Sequence, residues 1–71
     1  MSSLMKISAN IIKYLMKSDI TIEEFAERLG IDKELLLDVL HGSRIISYSQ
    51  LEQSAIILNV SVDQLLDLSE E

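Results

Sequence analysis

The chain of 71 residues predicts an all-α domain of five short helices, and three observations carry that prediction. Apolar residues recur at three- and four-residue spacing. Three expected helix starts place a hydroxyl residue three positions before Glu or Gln, the reciprocal box that satisfies orphan amides at a helix start. These are Thr21 with Glu24, Ser47 with Gln50 and Ser61 with Gln64. No proline and only two glycines interrupt the chain, which leaves little from which to build linkers, repeats or a second domain.

The first helix is expected from Leu4 or Met5 to Lys17, after a loose end at residues 1–3. Ile7, Ile11, Tyr14 and Leu15 define its apolar face, and Lys6, Lys13 and Lys17 occupy the others. Lys17, Ser18 and Asp19 break it, and Ile20 anchors the turn that follows. The second helix starts at about Ile22 behind the Thr21 cap. Phe25, Ala26 and Leu29 continue its apolar face, and Gly30 closes it in the left-handed conformation. Ile31 re-enters the core, Asp32 is the next cap, and Leu36, Val39 and Leu40 mark one face of a third helix stopped by Gly42. Helices two and three form a helix-turn-helix around which the remainder packs. The fourth helix turns Leu51, Ala55 and Leu58 inward and ends at Asn59. The fifth follows Ser61 with Val62, Leu65, Leu66 and Leu68, and the tail SEE is expected to fray.

Composition narrows the function. Without cysteine there is neither a disulfide nor a thiolate metal site, and a reducing compartment is compatible. A hydrophobic fraction of 48% is high for so small a chain, so apolar surface is expected to remain for a partner. The apolar runs are too short to span a bilayer and the N-terminus lacks a signal-peptide block, which predicts a cytoplasmic protein with no membrane contact. One histidine and no Gly-rich phosphate loop leave no nucleophile, base and orienting group to assemble. The chain is therefore read as a non-enzyme needing no cofactor and no metal. Its net charge of −6 opposes approach to a polyanion.

The stretch TIEEFAERLGIDKELLLDVLHGSR resembles the helix-turn-helix of the Cro and lambda-repressor-like, or XRE-type, family, which runs T-Q-E-E-L-A-x-x-x-G into a recognition helix and a Gly-basic turn. LNVSVDQLL, at 58–66, is similar to the family's closing L-G-V-S-x-D-x-L-L, and NIIKYL, at 10–15, to its first helix. The resemblance implies a compact five-helix lambda-repressor-like fold over residues 1–71 and a role in transcription regulation. It also implies that Leu15 and Leu40 stand where many members bond an arginine to a glutamate. Both halves have changed together, and such a pair can be exchanged for apolar residues at little cost when neither charge is left alone.

Carried over by position, the family's base-reading residues fall on Lys33, Glu34 and Asp38, with Leu35 and Leu37 beside them and His41 at the helix end. Arg44 is the only basic residue in the loop where the family contacts phosphate, and Ile22 replaces its phosphate-bonding glutamine. Thr21 to His41 holds six acids against Arg28 and Lys33, a net of −4, although phosphate neutralisation supplies most protein–DNA affinity. Each unpaired carboxylate about 4 Å from a phosphate costs roughly 1 kcal/mol in water and about 4 near a protein surface. Ile22, Leu35, Leu37, Ile45, Ile46 and Tyr48 are expected to gather as an apolar patch on or near that face. An oily surface ringed by carboxylates suits a protein partner with a basic, partly apolar face, such as a repressor. The sequence thus predicts a small regulator of phage or mobile-element type acting as an antirepressor. DNA binding of the Cro and repressor kind is the alternative, and an antitoxin-like protein binder the third. The blander readings are that Leu35, Leu37 and Ile22 pack inward and that the acids form a solvated face. A homodimer through Ile56, Ile57 and Leu68 is also compatible.

Overall fold

The computed structural model describes the backbone of residues 3–67 and the side chains of residues 5–67. Five helices follow one another: α1 (Ser3–Met16), α2 (Ile22–Leu29), α3 (Lys33–Leu40), α4 (Tyr48–Leu58) and α5 (Val62–Leu66). α1 begins earlier than its apolar periodicity requires, taking in Ser3, and the expected tail and Leu68 lie outside the described residues.

Helix ends explain why the segments are so short. Ser47 and Ser61 each accept from the amide of the glutamine three residues on, and the Gln50 and Gln64 side chains accept from the cap amides in return. The third box is half formed. Thr21 Oγ1 accepts from the Glu24 amide at 3.0 Å, but the Glu24 carboxylate is held 2.7 Å from Arg28 one turn on. A charge-assisted contact outcompetes the return bond to a neutral amide. Asp32 has the extended backbone of a cap, yet its side chain makes no capping bond.

At the other end, the three positive-φ residues among those described are Gly30, Gly42 and Asn59. Each follows a helix and closes it the same way. The Ile31, Ser43 and Val60 amides reach back to the carbonyls of Ala26, Asp38 and Ala55 at 2.9–3.1 Å, the six-to-one bond that satisfies a helix C-terminus.

α1 packs against α3, α4 and α5, and α2 bridges α3 and α4. Between them lie Ile11, Leu15, Phe25, Leu36, Leu40, Leu51, Ala55, Leu58 and Leu65, all buried. Leu15 and Leu40 thus share one apolar core, as expected of a replaced ion pair. Two polar residues of α1, not singled out by periodicity, tie the layers together. Ser8 Oγ donates to the Val39 carbonyl at 2.6 Å, and Asn10 Nδ2 donates to the carbonyls of Leu65 and Asp67 at 3.0 and 2.8 Å. Ser54, fully buried, bonds back to the Gln50 carbonyl. Among the described residues no buried side-chain polar atom lacks a partner, and no helix is long and apolar enough to cross a membrane.

Candidate recognition surface

At about 100° per residue, burying Leu36, Val39 and Leu40 turns Glu34, Asp38 and His41 outward on α3. All three are exposed, as are Lys33 and Arg44. The two cations of α2 and α3 are already engaged. Lys33 Nζ lies 2.7 Å from Glu23 across the turn between α2 and α3, and Arg28 lies 2.7 Å from Glu24 along α2. Such exposed pairs contribute little stability, but they settle where the positive charge points. The hydrogen bond from Lys33 and its charge hold the Glu23 carboxyl below its ordinary value, with help from a backbone hydrogen bond. Glu27, Asp32, Glu34 and Asp38 have no ion-pair partner among the described residues, and neither does Arg44 in the α3–α4 loop.

The apolar half of the expected surface needs correcting. Ile22, Leu35, Leu37 and Ile46 are all half-buried and do not form a protruding patch. Ile22 and Ile46 pack against the core cluster, the inward role that a residue beside a helix start often takes. Five of the six residues expected to gather divide between two places. Ile22 and Leu37 line a trough together with Ile12, Met16, Ile20 and His41, framed by the end of α1, the α1–α2 turn and α3. Ile45, Ile46 and Tyr48 line a separate groove with Ile7, Arg44 and Leu66, so these α3–α4 residues line a different groove from Ile22 and Leu37. Leu35 lines neither.

Sequence reasoning missed the trough's α1 wall. Met16 is 80% exposed, and both it and Ile12 lie outside the apolar face of Ile7, Ile11, Tyr14 and Leu15. Their common signal was available: Ile12 and Met16 are spaced i, i+4 on one side of the helix. The second groove holds three exposed apolar side chains, Ile45 at 78%, Tyr48 at 63% and Leu66 at 38%. Of the residues considered for self-association, Ile56 is exposed and Ile57 packs against the core. Among the described residues no three His, Cys, Asp or Glu side chains converge as a metal site would require.

No curated protein and no solved structure matches the chain. Residues 11–65, from the middle of α1 into α5, match the helix-turn-helix family. Its members are DNA-binding transcription regulators, generally not enzymes, and they often dimerise. With that match over most of its length, and with α2 and α3 joined through Gly30 in the arrangement described, the chain belongs to the XRE-type helix-turn-helix family.

Proposed function

We propose that the protein is a small cytoplasmic transcription regulator, one domain over residues 1–71, that acts through its helix-turn-helix on another regulator protein in antirepressor fashion. The observation that carries this reading is the state of the charges. Both cations of the helix-turn-helix are engaged by Glu23 and Glu24, while Glu34 and Asp38 stand exposed on the outward side of α3 with no ion pair. A DNA reader needs the reverse, because affinity for a duplex comes mainly from neutralising phosphates. A cationic protein surface, such as a repressor's own DNA-binding face, meets the same carboxylates favourably. The contact residues under this reading are Glu34, Asp38, His41, Leu37 and Ile22, with Lys33 held back by Glu23.

Direct DNA binding is the second reading, and Arg44 favours it. This exposed arginine has no ion-pair partner among the described residues, and it occupies the loop where the family resemblance implies phosphate contact. Two experiments separate the readings. Selection from a random duplex pool should retain no sequence, and size-exclusion chromatography at micromolar concentration should show a complex with a repressor-type regulator encoded nearby. Leu37→Lys should abolish that complex while cooperative thermal unfolding persists, since Leu37 is half-buried and outside the core cluster. Recovery of a specific duplex whose binding weakens steeply with salt, with no protein complex, would decide for DNA.

A further inference from the structure

Resting on the protein-contact reading above, we infer that the trough lined by Ile12, Met16, Ile20, Ile22 and Leu37 receives a cationic amphipathic helix of the partner. Its lining is mostly apolar, with Ser18, Thr21 and His41 as its polar residues, and is built from α1, the α1–α2 turn, the start of α2 and α3. Met16 stands 80% exposed at one wall, and a flexible thioether adapts to whatever side chain it meets.

The rim supplies the sign of the occupant's charge. On α3, Glu34 and Asp38 lie roughly 60° and 100° round from Leu37, both toward solvent and on the same side of it as His41, which lines the trough's edge. In the α1–α2 turn, exposed Asp19 sits between Ser18 and Ile20, both of which line the trough. None of the three acids has an ion-pair partner among the described residues.

The nearby cations point elsewhere. Lys13 and Lys17 carry their ammonium groups over the Tyr14 ring, 5.3 and 5.7 Å from its centre. Tyr14 is about 200° round α1 from Met16, so both lysines lean off the trough. Lys33 and Arg28 are bound to Glu23 and Glu24. An apolar trough with an uncompensated anionic rim is complementary to an apolar stripe bordered by Lys or Arg.

A helix suits the trough: the described part of this chain has no strand edge to extend, and a mostly apolar lining takes the apolar stripe of an amphipathic helix by side-chain packing. Two to three turns, about 11–16 Å, would cover it.

The test uses the isotope-labelled full chain and three synthetic peptides of about fourteen residues, a length that gives roughly four turns. One is a Leu/Lys amphipathic helix, one replaces its lysines by glutamates, and one scrambles the Leu/Lys order. The Leu/Lys peptide should shift the amide signals of Met16, Ile20, Ile22 and Leu37. It should bind roughly tenfold or more tighter than either control. Met16→Gln, at an exposed site that does not endanger folding, and the pair Glu34→Lys with Asp38→Lys should each weaken it by a similar factor. Equal binding of the scramble, shifts centred on Tyr48 and Leu66, or no saturation by about 1 mM would overturn the trough assignment. A random-sequence duplex titrated into the same sample keeps the two levels apart. Shifts on Lys33, Glu34 and Asp38 by DNA would overturn the protein-contact reading itself, whereas silence from both peptide and duplex removes the trough and leaves that reading to the complex-formation test.

Discussion

α2 and α3 are each eight residues long and both end at a positive-φ glycine, yet they are stabilised differently. α2 has a capped start and paired first-turn charges. Thr21 caps its start, and its two first-turn acids are neutralised, Glu24 by Arg28 and Glu23 by Lys33. α3 has an uncapped start at Asp32, and Glu34 and Asp38 carry no compensating charge among the described residues. It is held by burying Leu36, Val39 and Leu40 against α1 and α2. Local rules are better satisfied on α2 than on α3, whose start is uncapped and whose acids stand unpaired among the described residues.

The largest perturbations should erase the contrast. Phe25→Ala in α2 and Leu36→Ala in α3, both essentially inaccessible, should cost about 3–5 and 2–5 kcal/mol. In a chain this small either loss consumes most of the stability, which denaturant titration followed by circular dichroism would register.

Next come the two glycines. Gly30→Ala and Gly42→Ala force a side chain into φ of +75° and +79°, at about 1–2 kcal/mol each. Gly42→Ala should be the worse, since its new Cβ would lie 3.0 Å from Met5 Cγ while the space at Gly30 is open. Equal losses would show that Met5 yields freely.

The caps sharpen the comparison further. Thr21→Ala should cost about 1 kcal/mol, whereas Asp32→Ala, which removes no capping bond, should fall within about 0.5 kcal/mol of the parent. Equal costs would mean that Asp32 does cap α3 in solution.

The smallest effect is electrostatic. Glu23 is held below its ordinary value chiefly by the hydrogen bond from Lys33. A depressed carboxylate contributes stability above its unfolded-state value and loses it as pH falls through the folded one. Lys33→Met should move the Glu23 titration, followed by carbon NMR, back up toward 4.5 and flatten the acid limb of the melting profile. An unmoved Glu23 would show that its own backbone hydrogen bond suffices.

Much of the architecture was legible in the chain. Helix starts at Ser47 and Ser61 and helix stops at Gly30 and Asn59 were correctly read because caps involve residues only three to six positions apart. The inward faces of α2, α3 and α4 followed from period alone. Less was legible where one group had two possible partners. The Glu24 carboxylate was expected at the Thr21 amide and went to Arg28. Ser8 and Asn10 read as polar interruptions of α1, and only their long-range acceptors, 31 and 55 residues away for the Val39 and Leu65 carbonyls, explain their burial.

The candidate surface shows the same division. Composition and period determined which side chains leave the core of α3 and that their sum is acidic, because both depend on an angle fixed within one helix. Tertiary packing decided the rest: that Ile22 and Leu37 face one trough with Met16, that Ile46 and Tyr48 belong to another groove, and that Lys33 lies against Glu23. Periodicity orients a residue on its own helix but is silent about which neighbouring element covers it, and at a contact surface that neighbour decides whether a charge or a methyl group remains available.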